Sequence, residues 1–164
     1  LLGPVLDSHR AASIMKNIHS LHLRIKKHSE NAQYLAENFE KLGCKVFYPG
    51  LKSHNGHNLL TEIMNGGFGF GGMLAIDAGT IEKANELMAN MQFEKVGYLA
   101  VSLGYFKTLF SSPGHSTSSE IPEDERKAMG LSEGLVRISI GLDNDIKKTY
   151  ERIKKCLTEV GLVK

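Results

Sequence analysis

Between Arg10 and Leu42 the apolar or small residues Ala11, Ile14, Ile18, Leu21, Ile25, Ala32, Leu35, Phe39 and Leu42 recur every three or four positions. That spacing predicts one long amphipathic helix, with Gly43 as its stop. Such a helix would be roughly 50 Å long at 1.5 Å per residue. A compact chain of this size has a radius of gyration of only about 15 Å. The first half of the helix, with its stripe of Ile14, Ile18 and Leu21, is therefore expected to overhang and to pack on something beyond its own fold. A kink near 17–19 is the competing reading, although no Pro or Gly stands there to cause one.

Beyond Gly43 the period shortens. Lys45–Tyr48 reads as a short strand closed by the turn pair Pro49-Gly50, and a helix is expected over Asn58–Met64. The glycine-rich run 65–72 leads into a strand, Met73–Ile76. Thr80 is placed to cap a helix bearing Ile81, Ala84, Leu87, Met88 and Met91. Tyr98–Val101 reads as a strand, and Phe106–Glu120, rich in serine, as a structured loop. Pro122 suits the first turn of a short helix over the acidic Glu123–Glu125, ended by Gly130. In the stretch 132–142 alternation puts Val136, Ile138 and Ile140 on one face of a strand and Leu135, Arg137 and Ser139 on the other. Asp143 is expected to cap a last helix with Ile146, Tyr150, Ile153, Leu157 and Val160 on one face, stopped by Gly161. Together these elements predict an α/β fold of the α+β sandwich kind, with a largely antiparallel sheet and helices over one side. The natural division is a helix at 1–42 and a domain at 43–164.

Composition adds exclusions. The 164 residues contain 41% hydrophobic and 23% charged residues, ordinary values for a globular chain. A formal charge of +2 gives no long-range field to recruit nucleic acid, and no apolar run reaches the ~18 residues of a membrane span. Leu1–Asp7 is too short and uncharged for a signal peptide, so the cytoplasm is the expected compartment. Cys44 and Cys156 form neither a disulfide framework nor a paired metal knuckle, and read as buried or half-buried thiols. The start at Leu1 rather than Met suggests a fragment.

Arg137 is the residue with most chemistry. A guanidinium inside an apolar strand requires an anion, and its planar fork suits a carboxylate or phosphate gripped by two parallel hydrogen bonds. That anion is either one of the chain's own acids or a ligand. Other candidates are weaker. The Gly66–Gly72 run lacks the strand-before, helix-after order of a nucleotide fingerprint and reads as a flexible approach to the next strand. His54 and His57 stand three apart, but no third ligand accompanies them, so no metal is expected. Ser13-Ile-Met-Lys16 matches an acylation motif in letters only. Ser111, Ser112, Ser116, Ser118 and Ser119 either line a site or satisfy loop backbone.

Three ordered segments, Phe70–Leu74, Ala100–Gly104 and Gly134–Leu142, resemble the carboxy-terminal part of the Cys/Met-metabolism pyridoxal-phosphate enzymes, the group containing methionine γ-lyase, cystathionine γ-lyase and cystathionine γ-synthase. The resemblance runs from about Gly3 to about Ile146. It implies the small carboxy-terminal domain of a fold-type-I pyridoxal-phosphate-dependent transferase, preceded by a connecting helix. It also implies that Arg137 holds the substrate α-carboxylate with help from Ser102 and Leu103 of the Ser-Leu-Gly turn. Lys107, where many members have Glu near the distal end of the substrate, and Ser116 and Thr117, in an altered His-Pro-Ala-Ser-Met-Thr-His segment, become candidates for substrate choice.

The Schiff-base lysine and the cofactor's other contacts belong, in that family, to a larger amino-terminal domain, and no counterpart stands in this sequence. The resemblance therefore implies a full-length cytoplasmic homo-oligomer that uses pyridoxal 5′-phosphate to eliminate or replace at a C–S bond of a sulfur amino acid, in transsulfuration or methionine and cysteine metabolism. This chain would supply no catalytic, cofactor or metal residue and would be inactive without the missing domain. The alternative is a free-standing amino-acid-binding or regulatory domain. The family's Arg-Gly-Leu-Lys-Thr-Leu helix motif reads Lys16–Leu21 here, so the particular substrate does not carry over.

Overall fold

The computed structural model describes residues 5–113, 121–128 and 132–164. Helix α1 (Ser8–Ile18) is capped by Asp7, whose carboxylate accepts from the Arg10 N–H at 3.0 Å. Helix α2 (Leu21–Lys41) follows after a break at His19 and Ser20. The single long helix is thus two. At the break, Arg24 donates to the Asn17 carbonyl at 2.7 Å, taking up an acceptor that the interrupted ladder leaves free. Helix α2 ends in a Schellman turn: Gly43 N–H donates to Glu40 O and Cys44 N–H to Phe39 O, with Gly43 at φ +84°.

Strand β1 (Val46–Phe47), helix α3 (His57–Ile63), strand β2 (Met73–Asp77) and helix α4 (Ile81–Phe93) come next, close to their predicted positions. Thr80 caps α4 through Lys83 N–H, as its place in the sequence predicts. Strand β3 (Gly97–Leu99) then leads to strand β4 (Thr108–Ser111), which occupies the opening of the segment expected to be loop. All four β4 residues are buried, so no polar alternation marks them as a strand. Helix α5 (Glu123–Ala128), strand β5 (Leu135–Ser139) and helix α6 (Ile146–Glu159) complete the chain. Gly130, the predicted stop of α5, lies outside the described residues. The cap of α6 is Asp145, not Asp143. Asp143 instead accepts from Asp145 N–H and from the Thr149 hydroxyl, bracing the turn that enters the helix.

The sheet order is β1-β2-β5-β4-β3, antiparallel except for the parallel β3–β4 pair. One face carries Leu74, Ile76, Phe110, Val136 and Ile138, all buried beneath Leu35 and Phe39 of α2, Leu87 and Met91 of α4, and Ile153 and Leu157 of α6. Full burial of such side chains contributes roughly 1.5–3 kcal/mol each, which makes this layer the main source of stability. The other face, bearing Ala75 and Arg137, has no helix of this layer on it. No helix among the described residues is long and apolar enough to cross a membrane.

Candidate substrate-carboxylate site

Arg137 lies at the centre of the helix-free face. Its register partners are Ala75 on β2 and Ser111 on β4, so a residue with no polar side-chain atom flanks it on one side and a hydroxyl on the other. The guanidinium is half-buried, and its Nη2 donates to the Ser102 carbonyl at 3.1 Å. Among the described residues no carboxylate lies within ion-pair distance of it. The internal-acid explanation of Arg137 therefore has no partner there. Its Nε is buried and lacks an acceptor, and the Ser111 hydroxyl is buried and lacks any partner.

The turn at 102–104 is held over β5 by two bonds of different kinds. Arg137 grips the Ser102 carbonyl, and the Gly104 N–H donates to Ser139 Oγ at 3.1 Å. Gly104, at φ +69°, adopts the left-handed conformation that lets the chain turn there. Ser102 and Arg137, 35 positions apart, are thus neighbours. Leu103, between the two anchors, is exposed.

Lys107 stands elsewhere. It shares a groove at the end of the sheet with Lys95, Lys148 and Arg152, and its Nζ lies 5.8 Å from the Phe106 ring centre; neither Arg137 nor Ser102 lines that groove. Ser116 and Thr117 lie outside the described residues, as do Ser118 and Ser119.

The remaining motifs have structural partners. His57 Nδ1 donates to the Pro49 carbonyl at 2.8 Å and its ring stacks on Phe70. His54 Nδ1 accepts from Gly56 N–H at 3.0 Å, so neither imidazole is arranged for a metal. No cluster of three metal-ligating side chains occurs among the described residues. The glycine run packs on α2. A Cβ at Gly69 would sit 2.8 Å from Ser29 Cβ, one at Gly72 would sit 2.9 Å from His28 Cβ, and the Gly71 N–H donates to Ser29 Oγ. The Gly71 amide is thus spent on α2 rather than on an anion. Burial raises the thiols of Cys44 and Cys156 to about 11, so neither is a nucleophile at neutral pH.

These features define a half-site: a guanidinium on a strand, a turn held beside it, and Ala75 and Ser111 on its flanks. The model of the Cys/Met metabolism PLP-dependent enzymes matches residues 1–156, and the chain belongs to that family. It is 44% identical over 156 residues to methionine gamma-lyase of Arabidopsis thaliana, covering 94% of this chain and 35% of that protein. It is 33% identical to cystathionine beta-lyase of Lactococcus lactis, over 92% of this chain and 40% of the relative. A crystal structure assigned as an O-acetylhomoserine (thiol)-lyase of Campylobacter jejuni, with N′-pyridoxyl-lysine-5′-monophosphate, superposes with a TM-score of 0.84 at 31% identity, over 96% of this chain and 37% of that one. The chain thus spans little more than a third of the lengths of these proteins.

The described residues do not themselves make a seat for pyridoxal phosphate. No lysine whose side chain is described is buried, whereas a lysine that condenses with a carbonyl near neutral pH needs a site that favours its uncharged form. In the glycine run the Gly71 amide is already committed to Ser29 Oγ on α2.

Proposed function

We propose that this segment is the carboxy-terminal, carboxylate-binding part of a longer pyridoxal-phosphate-dependent enzyme that cleaves or forms a C–S bond at the β or γ carbon of a sulfur amino acid. The observation that carries the reading is Arg137: a guanidinium built into the sheet, with no acid of its own among the described residues, on the face that the three sheet-covering helices leave free. In this reading Arg137 takes the α-carboxylate, and the turn at Ser102 and Leu103 closes over it. Fixing the carboxylate sets the orientation of the Cα–H bond, the contribution this chain can make to the reaction. The cofactor is held by residues beyond this chain, so the segment alone neither retains it nor turns over substrate. Two unpaired thiols are in keeping with a cytoplasmic enzyme. The exposed apolar stripe of α1 is in keeping with assembly into an oligomer.

The full-length protein carrying Arg137→Lys tests this. A point charge replaces a planar fork, and each lost charge-assisted hydrogen bond is worth about 1.5–3 kcal/mol. Steady-state kinetics with L-methionine and L-cystathionine should show kcat/KM reduced at least ~10-fold on whichever is the substrate. Unchanged kcat and KM would remove Arg137 from the site.

A further inference from the structure

Ser111 and Arg137 face each other across β4 and β5, and each carries a buried polar atom with no partner: the serine hydroxyl and the arginine Nε. Ser111 is only 3% exposed. Register partners in an antiparallel pair have Cβ atoms about 4.5–5.5 Å apart, so the two side chains are within reach of one another after a rotamer change. A buried donor and a buried acceptor left unmade side by side form an arrangement that folding alone would not favour, since each is desolvated without return.

The surroundings narrow the options. Ala75, on the other flank of Arg137, has no polar side-chain atom, and Ser139 Oγ already accepts from Gly104 N–H. One Nη2 hydrogen is committed to the Ser102 carbonyl. Of its two register partners, Ser111 alone can receive the Nε–H. Both atoms are closed to solvent, so neither is open to an entering ligand.

We propose that Ser111 is a positioning residue for the carboxylate anchor: as the guanidinium turns to grip an anion, its Nε–H docks on Ser111 Oγ, fixing the plane of the fork. The inference rests on the carboxylate-binding reading above and adds the residue that orients the fork.

The two ideas separate experimentally in the full-length protein loaded with its cofactor. The probe is L-norleucine, in which a methylene replaces the sulfur of methionine so that no C–S bond can be cleaved; n-pentylamine, which lacks the carboxylate, is the control. Binding is read by calorimetry and stability by thermal melting. Ser111→Ala should weaken norleucine binding about 5–10-fold, leave pentylamine binding unchanged, and keep or raise Tm, because the hydroxyl it removes is unpartnered in the free protein. Ser111→Thr, which keeps the hydroxyl, should restore most of the norleucine affinity. A lower Tm with equal losses for both probes would mark Ser111 as merely structural and overturn the proposal, as would norleucine affinity equal to wild type in Ser111→Ala. If Arg137→Ala also left norleucine binding intact, the carboxylate-binding reading itself would fall. A strong loss in Arg137→Ala beside an unchanged Ser111→Ala would sink only the role of Ser111.

Discussion

Asp77 shows how a charged side chain can be structural on the same sheet face as Arg137. Burial pushes its carboxyl upward, but bonds from Lys45 at 2.7 Å, from Ser132 and from the Gly79 N–H, together with the charge of Lys45, bring it below the usual carboxylate range. A lowered folded value means that the ionised form stabilises the fold, fully at neutral pH and less as pH falls from the ordinary Asp value of about 3.9 through the folded one. Asp77→Asn should therefore cost about 1–2 kcal/mol at pH 7, the lower end of charge-assisted bonds because Lys45 is largely exposed. The gap in Tm between variant and wild type should close below pH 4, and a gap independent of pH would assign the loss to packing. At this scale the sequence was informative for Arg137, because a guanidinium amid alternating apolar residues is anomalous wherever the strand lies. The proximity of Ser102 could be inferred only through family likeness, since a contact across 35 positions leaves no periodic trace. Ser111 stood among the serines as a candidate liner, but its pairing with Arg137 follows from a strand that periodicity did not reveal.

Elements announced by caps and glycine stops were legible: Thr80 before α4, Gly43 after α2 and Gly161 after α6 all act as their types predict. What failed to announce itself was β4, whose residues are buried on both sides, and the break at His19 and Ser20, where ordinary helix formers stand. The cap of α6 moved two residues because both Asp143 and Asp145 can accept from backbone, and only packing decides between them. Strand β3 shows the clearest sequence-encoded constraint. A Cβ on Gly97 would lie 2.0 Å from the Thr108 carbonyl oxygen, so β3 and β4 can approach only with glycine there. Gly97→Ala should separate the two strands, destabilising the fold by about 1–3 kcal/mol through overpacking. Because the Ser102 turn directly follows β3, amide exchange should rise at 99–104 as well as within the strands. Exchange confined to Gly97 itself would show that the turn is held by β5 alone.

At the scale of the whole molecule, α1 is the outlier: none of its residues is buried, and Ile14, Met15 and Ile18 are 49, 66 and 55% exposed. An apolar stripe so open favours association, and the chain by itself should self-associate in light scattering at micromolar concentration. Ile14→Glu together with Ile18→Glu should return it to a monomer with Tm unchanged, since neither side chain contributes to the core. A monomer before substitution would count against the stripe. Helix α2, by contrast, is tied to the chain leaving β5 by specific bonds rather than by packing alone. His28 Nδ1 donates to the Ile140 carbonyl at 2.6 Å, and Asn31 Nδ2 donates to the carbonyls of Gly141 and Asp143, each at 3.0 Å. Helix α2 is thereby bolted to the chain leaving β5, three to six residues beyond Arg137. Three bonds from a single turn of α2 thus fix how the chain leaves β5, so a change at His28 or Asn31 should be felt at the end of the strand that carries Arg137.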